Sequence, residues 1–234
     1  MKEKKADVLV ITPHPDDAEF GAAGSVVNLV RQGKKVVYIV CTNGDKGTDS
    51  SECRPVKLAS VREQEQLDAA KVLGVKEVVF LRQPDQSLED TPEFRKEIVR
   101  YIRLYRPALV ITADPYRRYV WHRDHRIVGQ VVLDAVFPYA RDIWAYPDLL
   151  EEGLIPHRVK EVWLWAPEEK DINFRVDISQ SFALKVKALQ CHKSQIKEPF
   201  ASEMEKWLCQ RAKDMAEGEE FILAEGFHRV EIWW

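Results

Sequence analysis

The chain has no long apolar run, no excess of positive charge, no paired-cysteine motif and no glycine-rich phosphate loop. Each absence removes a class of function. The charged start Met1-Lys2-Glu3-Lys4-Lys5 precedes only a strand-length run, Val8-Leu9-Val10-Ile11. Neither a signal peptide nor a membrane span is therefore expected, and no membrane partner. Lysine plus arginine number 35 against 38 aspartate plus glutamate, a net charge of -3, which offers no electrostatic attraction to nucleic acid. Cys41, Cys53, Cys191 and Cys209 form no CxxC pair, so they read as reduced thiols of a cytoplasmic protein rather than zinc ligands. Gly21-Ala22-Ala23-Gly24 is too weak for a dinucleotide fingerprint, and its glycines suit close helix–sheet packing instead.

Apolar runs alternate with helical periodicity through the first half. Strands are expected at 8–11, 35–41, 77–81 and 108–112, and helices at about 20–32, 56–73, 92–105 and 124–137. Gly33 and Gly74 stand just past two of the helices as stops. This rhythm builds right-handed βαβ units, so the fold class is α/β. It predicts a Rossmann-like, mostly parallel central sheet with helices on both faces and a C-terminal elaboration. After Pro138 the rhythm breaks, and Pro147, Pro156 and Pro167 punctuate a loop-rich stretch. Strands are expected there at 161–165 and 174–178, helices at 181–192 and 203–217, and a last strand at 221–232. With no repeat, low-complexity tract or linker, residues 1–234 read as a single domain, its core at about 6–137 and its elaboration at about 138–234.

Pro13-His14-Pro15-Asp16-Asp17-Ala18-Glu19 directly follows the first strand. Thr42-Asn43-Gly44 leaves the second strand. Ala113-Asp114 leaves the fourth and leads to Trp121-His122-Arg123-Asp124-His125. In open parallel sheets ligands bind beyond the carboxyl ends of the strands, so three loops converge on one rim and two of them carry imidazoles. His122 and His125, three apart, lie on one face of a helix. With His14 and Asp17 they offer three or four nitrogen and oxygen donors, the make-up of a catalytic rather than a structural zinc site. Fe2+, Co2+ and Mn2+ accept the same donors. Spacing alone admits either His122 or His125 as ligand. Of two adjacent aspartates, one turns easily toward an ion held by His14 and the other stays free for proton chemistry. The bland alternative makes the first motif a turn in which Asp17 caps the next helix, with the two later histidines unrelated to it.

Pro-His-Pro-Asp-Asp-Ala-Glu-Phe-Gly at 13–21, with His-Arg-Asp-His at 122–125, resembles the PIG-L/LmbE-like N-deacetylase family. Weaker support comes from Thr42-Asn43-Gly44-Asp45, Arg62-Glu63-Gln64-Glu65, Cys191-His192-Lys193-Ser194-Gln195 and Ala224-Glu225-Gly226-Phe227. The resemblance implies zinc on His14, Asp17 and His125, with Asp16 as general base. It makes His122 the stabiliser of the tetrahedral intermediate and Asp124 the carboxylate that tunes His122 as an imidazolium. The implied substrates are small N-acetylated amino sugars such as N-acetylglucosamine conjugates and chitooligosaccharides. Arg62 falls where the family contacts substrate, and His192 is a candidate for the pocket border. Trp121 stands where the family often has arginine. It is a candidate for stacking on a sugar face, with Arg117, Arg118 or Arg123 to replace the missing charge. Glu19 is expected to favour the N-terminus of the next helix, and His157 and His228 to be structural. Rival readings are deacylation of another N-acyl amine and a non-catalytic Rossmann-like metal- or ligand-binding protein. The terminal pair Trp233-Trp234 suggests a homo-oligomer.

Overall fold

The structure is a computed structural model that describes residues 4–233; Met1, Lys2, Glu3 and Trp234 lie outside the described residues. Five strands run parallel: β1 (Val8–Thr12), β2 (Val36–Thr42), β3 (Glu77–Gln83), β4 (Leu109–Ala113) and β5 (Glu161–Trp165). β6 (Phe174–Asp177) and β7 (Ala224–Glu231) complete the same sheet, β7 lying antiparallel between β5 and β6. The spatial order is β3-β2-β1-β4-β5-β7-β6. Order therefore reverses between β1 and β4, where an open sheet leaves a crevice for ligands.

β1, β2 and β4 are buried along their whole length, as expected for β-branched parallel strands covered on both faces. Their period of two splits the core. Leu9 and Ile11 pack with Ile98 and Val99 of α3 (Pro92–Tyr105) and Val128 and Val131 of α4 (Arg123–Asp134). Val8 and Val10 pack on the other face with Ala18 and Ala22 of α1 (Asp17–Arg31) and Leu73 of α2 (Pro55–Leu73). A short α5 (Pro147–Glu151), α6 (Phe182–Leu189) and α7 (Phe200–Met215) belong to the second half. Among the described residues no helix is long and apolar enough to cross a membrane.

The expected elements are present with shifted ends. α1 starts at Asp17 rather than near residue 20, because Asp16 takes a left-handed turn (φ 97°) that lets the helix begin at once. α4 stops at Asp134, and the chain breaks from helical geometry at Phe137 (φ -144°, ψ 119°), just before Pro138, which has no N–H to donate. α5 is additional to the expected set. Trp233 is exposed, and the expected packing of the Trp233-Trp234 pair across a subunit interface involves Trp234, which lies outside the described residues.

The last strand fastens the first helix. Buried Glu225 of β7 accepts hydrogen bonds from the amides of Gly24 (2.9 Å) and Ser25 (2.8 Å), from Ser25 Oγ (2.6 Å) and from Lys185 Nζ (2.6 Å). Glycine is needed here: a Cβ on Gly24 would sit 2.6 Å from Ile178 Cγ2, and one on Gly21 2.5 Å from Trp165 Cγ. Glu225→Ala leaves Lys185 as a buried cation without its carboxylate. We expect a loss of about 3–5 kcal/mol in unfolding free energy, read from urea denaturation.

Candidate active site

His14 leaves β1 with a carboxylate on each ring nitrogen. Nδ1 lies 2.9 Å from Asp17 Oδ2, while Nε2 lies 3.0 Å from Asp85 Oδ1 and 3.2 Å from Asp124 Oδ2. Asp17 Oδ2 also accepts the His14 amide N–H (2.9 Å) and stands 3.0 Å from His125 Nε2. The His14 and His122 rings meet edge-on with centroids 4.6 Å apart, and His125 is 5.3 Å from His14. The loops after β1 and β4 thus close on one point, at the reversal of strand order.

The two adjacent aspartates face different surroundings. Asp17 turns to the imidazoles; burial alone would raise its carboxyl, but the charges of His125 and His14 outweigh that and hold it well below the usual range. Asp16 turns away, toward Arg62 Nη2 at 3.2 Å. Burial lifts its carboxyl to about 6, with Arg62 opposing the rise. Its side chain makes no capping bond to α1, so it is free for other chemistry. Its amide donates to Gln66 Oε1 (3.0 Å), and Gln66 Nε2 donates to Glu19 Oε1 (2.8 Å). A left-handed non-glycine costs on the order of 1–3 kcal/mol, and this buried chain from α2 holds Asp16 in it.

Two overlapping donor groups form among the described residues. His14, His122 and His125 offer ligand atoms within 4.8 Å of one another, as do His14, Asp85, His122 and Asp124. Four carboxylates crowd this point, and Arg62 is paired with only one of them. Such a surplus suits a cation. Metal–donor bonds of about 2.0–2.2 Å in a tetrahedron place donors about 3.3–3.6 Å apart, so the 2.9 and 3.0 Å around Asp17 Oδ2 need to open by only a few tenths of an ångström. Asp124 is already engaged by the amides of Gln86 (2.7 Å) and Leu88 (3.4 Å). From there its carboxylate fixes the orientation of the His14 ring. Burial would lower the His14 ring's pKa, but Asp17, Asp124 and Asp85 together raise it well above the ordinary value.

Three expectations change in the fold. Asp124 does not reach the His122 ring with its carboxylate, which goes to His14. Its backbone N–H instead donates to His122 Nδ1 (3.1 Å). A neutral His122 then carries its proton on Nε2, 3.9 Å from Asp85 Oδ1. Burial and the neighbouring His14 and His125 push its pKa down, against the expected imidazolium. His192 is fully buried, 3.4 Å from Glu19 Oε2, and so stands behind the site rather than on a pocket border. Glu19 is itself buried in that network rather than facing solvent at the helix start.

Arg62 is 4% exposed and donates to the carbonyls of Gly44 (2.9 Å) and Pro15 (2.5 Å), so it is held inside the site rather than on the surface of α2. The Gly44 turn, at φ 60°, makes room for it: a Cβ there would sit 2.4 Å from Nη1. Trp121 packs edge-on against His125 (4.5 Å) and donates from Nε1 to Asp114 O (3.0 Å). Arg117 lies over its ring at 4.6 Å, whereas Arg118 pairs with Glu168 and Arg123 with Glu89. Asp85 is the residue that sequence reasoning misses. Its one available signal is position, as Pro84-Asp85 leaves β3 on the same rim as the other strand-end loops. The His14 contact outweighs burial and holds its carboxyl at about 2.

Comparison with known proteins agrees with this geometry. Residues 9–136 match the family model described as PIG-L: GlcNAc-PI de-N-acetylase. The diacetylchitobiose deacetylase of Thermococcus kodakarensis is 38% identical over 191 residues, covering 82% of this chain and 70% of that one. A probable N-acetyl-alpha-D-glucosaminyl L-malate deacetylase 2 of Bacillus cereus is 29% identical over 198 residues, 80% of this chain and 83% of its own. The solved structure of N,N'-diacetylchitobiose deacetylase from Pyrococcus horikoshii, complexed with its inhibitor MPG, superposes with a TM-score of 0.91. It shares 30% identity and is matched over 97% of this chain and 84% of that one.

A Rossmann-like sheet that superposes on named deacetylases, with imidazoles and carboxylates gathered where its strand order reverses, defines a de-N-acetylating hydrolase. The chain belongs to the PIG-L family. The rival of a non-catalytic Rossmann-like binding protein gives way to that membership.

Proposed function

We propose that this hydrolase removes the N-acetyl group from a small N-acetylglucosamine compound of the chitobiose or glycoconjugate kind. The relatives' named substrates support the class. The observation that carries the chemistry is the opposed orientation of Asp16 and Asp17 on consecutive residues. Paired groups pushed apart by their surroundings mark an acid–base assignment.

In this reading His14, Asp17 and His125 hold a divalent ion, with zinc suited to three nitrogen and oxygen donors and an open position. Such an ion supplies Lewis acidity to water and to the acyl oxygen. Asp16 takes the proton of the attacking water and returns it to the nitrogen as the C–N bond breaks. Arg62 keeps Asp16 ionised despite burial. His122 donates its Nε2 proton as a hydrogen bond to the acyl oxygen as charge develops there. Asp85 and Asp124 fix the His14 ring from the far side. Trp121 presents its ring beside His125 as an apolar surface for the substrate.

Four free cysteines support a reducing, cytoplasmic setting. Exposed Trp144 and Trp233 support self-association, which sedimentation at micromolar concentration reads directly.

The test is acetate release from N-acetylglucosamine, di-N-acetylchitobiose and the malate and inositol conjugates, with chelated and zinc-restored enzyme side by side. Release should fall to background on chelation and return with zinc. Silence across the panel with stoichiometric zinc bound would overturn the substrate class.

A further inference from the structure

A cavity of about 310 Å³ opens directly from the site, with Asp17, Trp121 and His125 in its wall. It runs toward the β5–β7 side of the sheet, between α1 and α7, past Trp165, Leu208 and Ala212. None of Asp16, Arg62, Asp85 or His122 lines it. Arg62, which pairs with Asp16, comes from α2, and Asp85 follows β3, at the other end of the strand order from β5 and β7. The ion-binding residues therefore stand between a proton-handling side and this cavity.

That placement decides which part of a substrate faces the cavity. Asp16 must reach the leaving nitrogen to protonate it, so the amine and its sugar lie on the Asp16 side. The substituent directed the other way is the one on the carbonyl carbon. The polar groups on the cavity wall are already partnered: Lys185 with Glu225 (2.6 Å) and the Phe20 carbonyl (2.7 Å), Arg117 on Trp121, and Arg211 on Trp207 (4.9 Å). Gly21 leaves room for the Trp165 ring against α1, giving an apolar floor. Its volume equals about ten solvent molecules at roughly 30 Å³ each, room for an unbranched chain of some six to eight carbons.

Resting on the deacylation reading above, we propose that the cavity is an acyl-chain site and that the enzyme hydrolyses N-acyl glucosamines with medium-length aliphatic chains. Water oxygen bonds to the carbonyl carbon and the C–N bond breaks. The nitrogen leaves with the proton carried by Asp16, giving glucosamine and the fatty carboxylate.

The experiment follows amine release by zinc-loaded enzyme from N-acetyl-, N-butyryl-, N-hexanoyl- and N-octanoyl-glucosamine, with di-N-acetylchitobiose alongside. Burial of each added methylene should raise kcat/KM about threefold to fourfold, so hexanoyl, with four more methylenes, should exceed acetyl by at least about 80-fold. Ala212→Phe, which fills the cavity, should lower the octanoyl-to-acetyl ratio at least tenfold. A wild-type kcat/KM that falls from acetyl to butyryl and onward overturns the acyl site and leaves the N-deacetylase reading standing. So does an Ala212→Phe loss confined to chitobiose, which would give the cavity to a second sugar. No release from any compound, N-acetyl included, overturns both.

Discussion

Asp16→Asn should lower kcat by roughly 10²–10⁴-fold while the protein keeps its metal. Asparagine preserves the size of the side chain and an oxygen for Arg62, which lies 3.2 Å from Asp16 Oδ2. It cannot take a proton from water. Asp16 contacts none of the three imidazoles near Asp17, so its loss leaves those donors in place. Asp16→Ala should lose as much turnover, but it also leaves the 4%-exposed guanidinium without its carboxylate, so some loss of stability comes with it. Single-turnover kinetics and metal content by atomic absorption on the same preparation decide the point. Metal lost in step with activity would contradict the separation of roles.

Asp17→Ala should do the reverse. Its Oδ2 is the atom that links the His14 amide, His14 Nδ1 and His125 Nε2. Removing it takes away one donor and the alignment of two others. Zinc affinity should fall well beyond the roughly 10–100-fold loss typical of an outer-shell partner. Asp85→Asn should stay within that range, since Asp85 contacts the opposite nitrogen of His14. Competition with a chelating dye at fixed pH gives both affinities. The opposite ranking would place the ion on the Asp85–Asp124 side of His14.

The first motif was legible because its residues are neighbours in sequence and follow an unmistakable buried strand. His122 and His125 were legible for the same reason. Asp85 was not, because a single acidic residue after Pro84 carries no spacing signal. Its distance to His14 is a product of strand order rather than sequence. The Asp124–His14 contact spans 110 residues and exists only because β4 pairs with β1. The family resemblance ties Asp124 to its neighbour His122 instead. The early start of α1 was hidden by two prolines and two aspartates, which read as loop until Asp16's left-handed turn is seen. In the second half, β7 inserts between β5 and β6, a non-sequential order that amphipathic periodicity does not report.

The bond between Glu225 and α1 also fixes an order of events during synthesis. The helix that begins at Asp17 is fastened near its middle by a carboxylate that leaves the ribosome some 200 residues later. The parallel strands β1 to β5 can pair while the chain is still growing, but this anchorage waits for β7. A nascent chain stopped before residue 224 therefore carries His14, Asp17 and His125 while α1 is not yet tied down. The grip of this site on a cation should tighten only once β7 has been made, which delays the hydrolytic centre until the strand that anchors α1 exists to confine it.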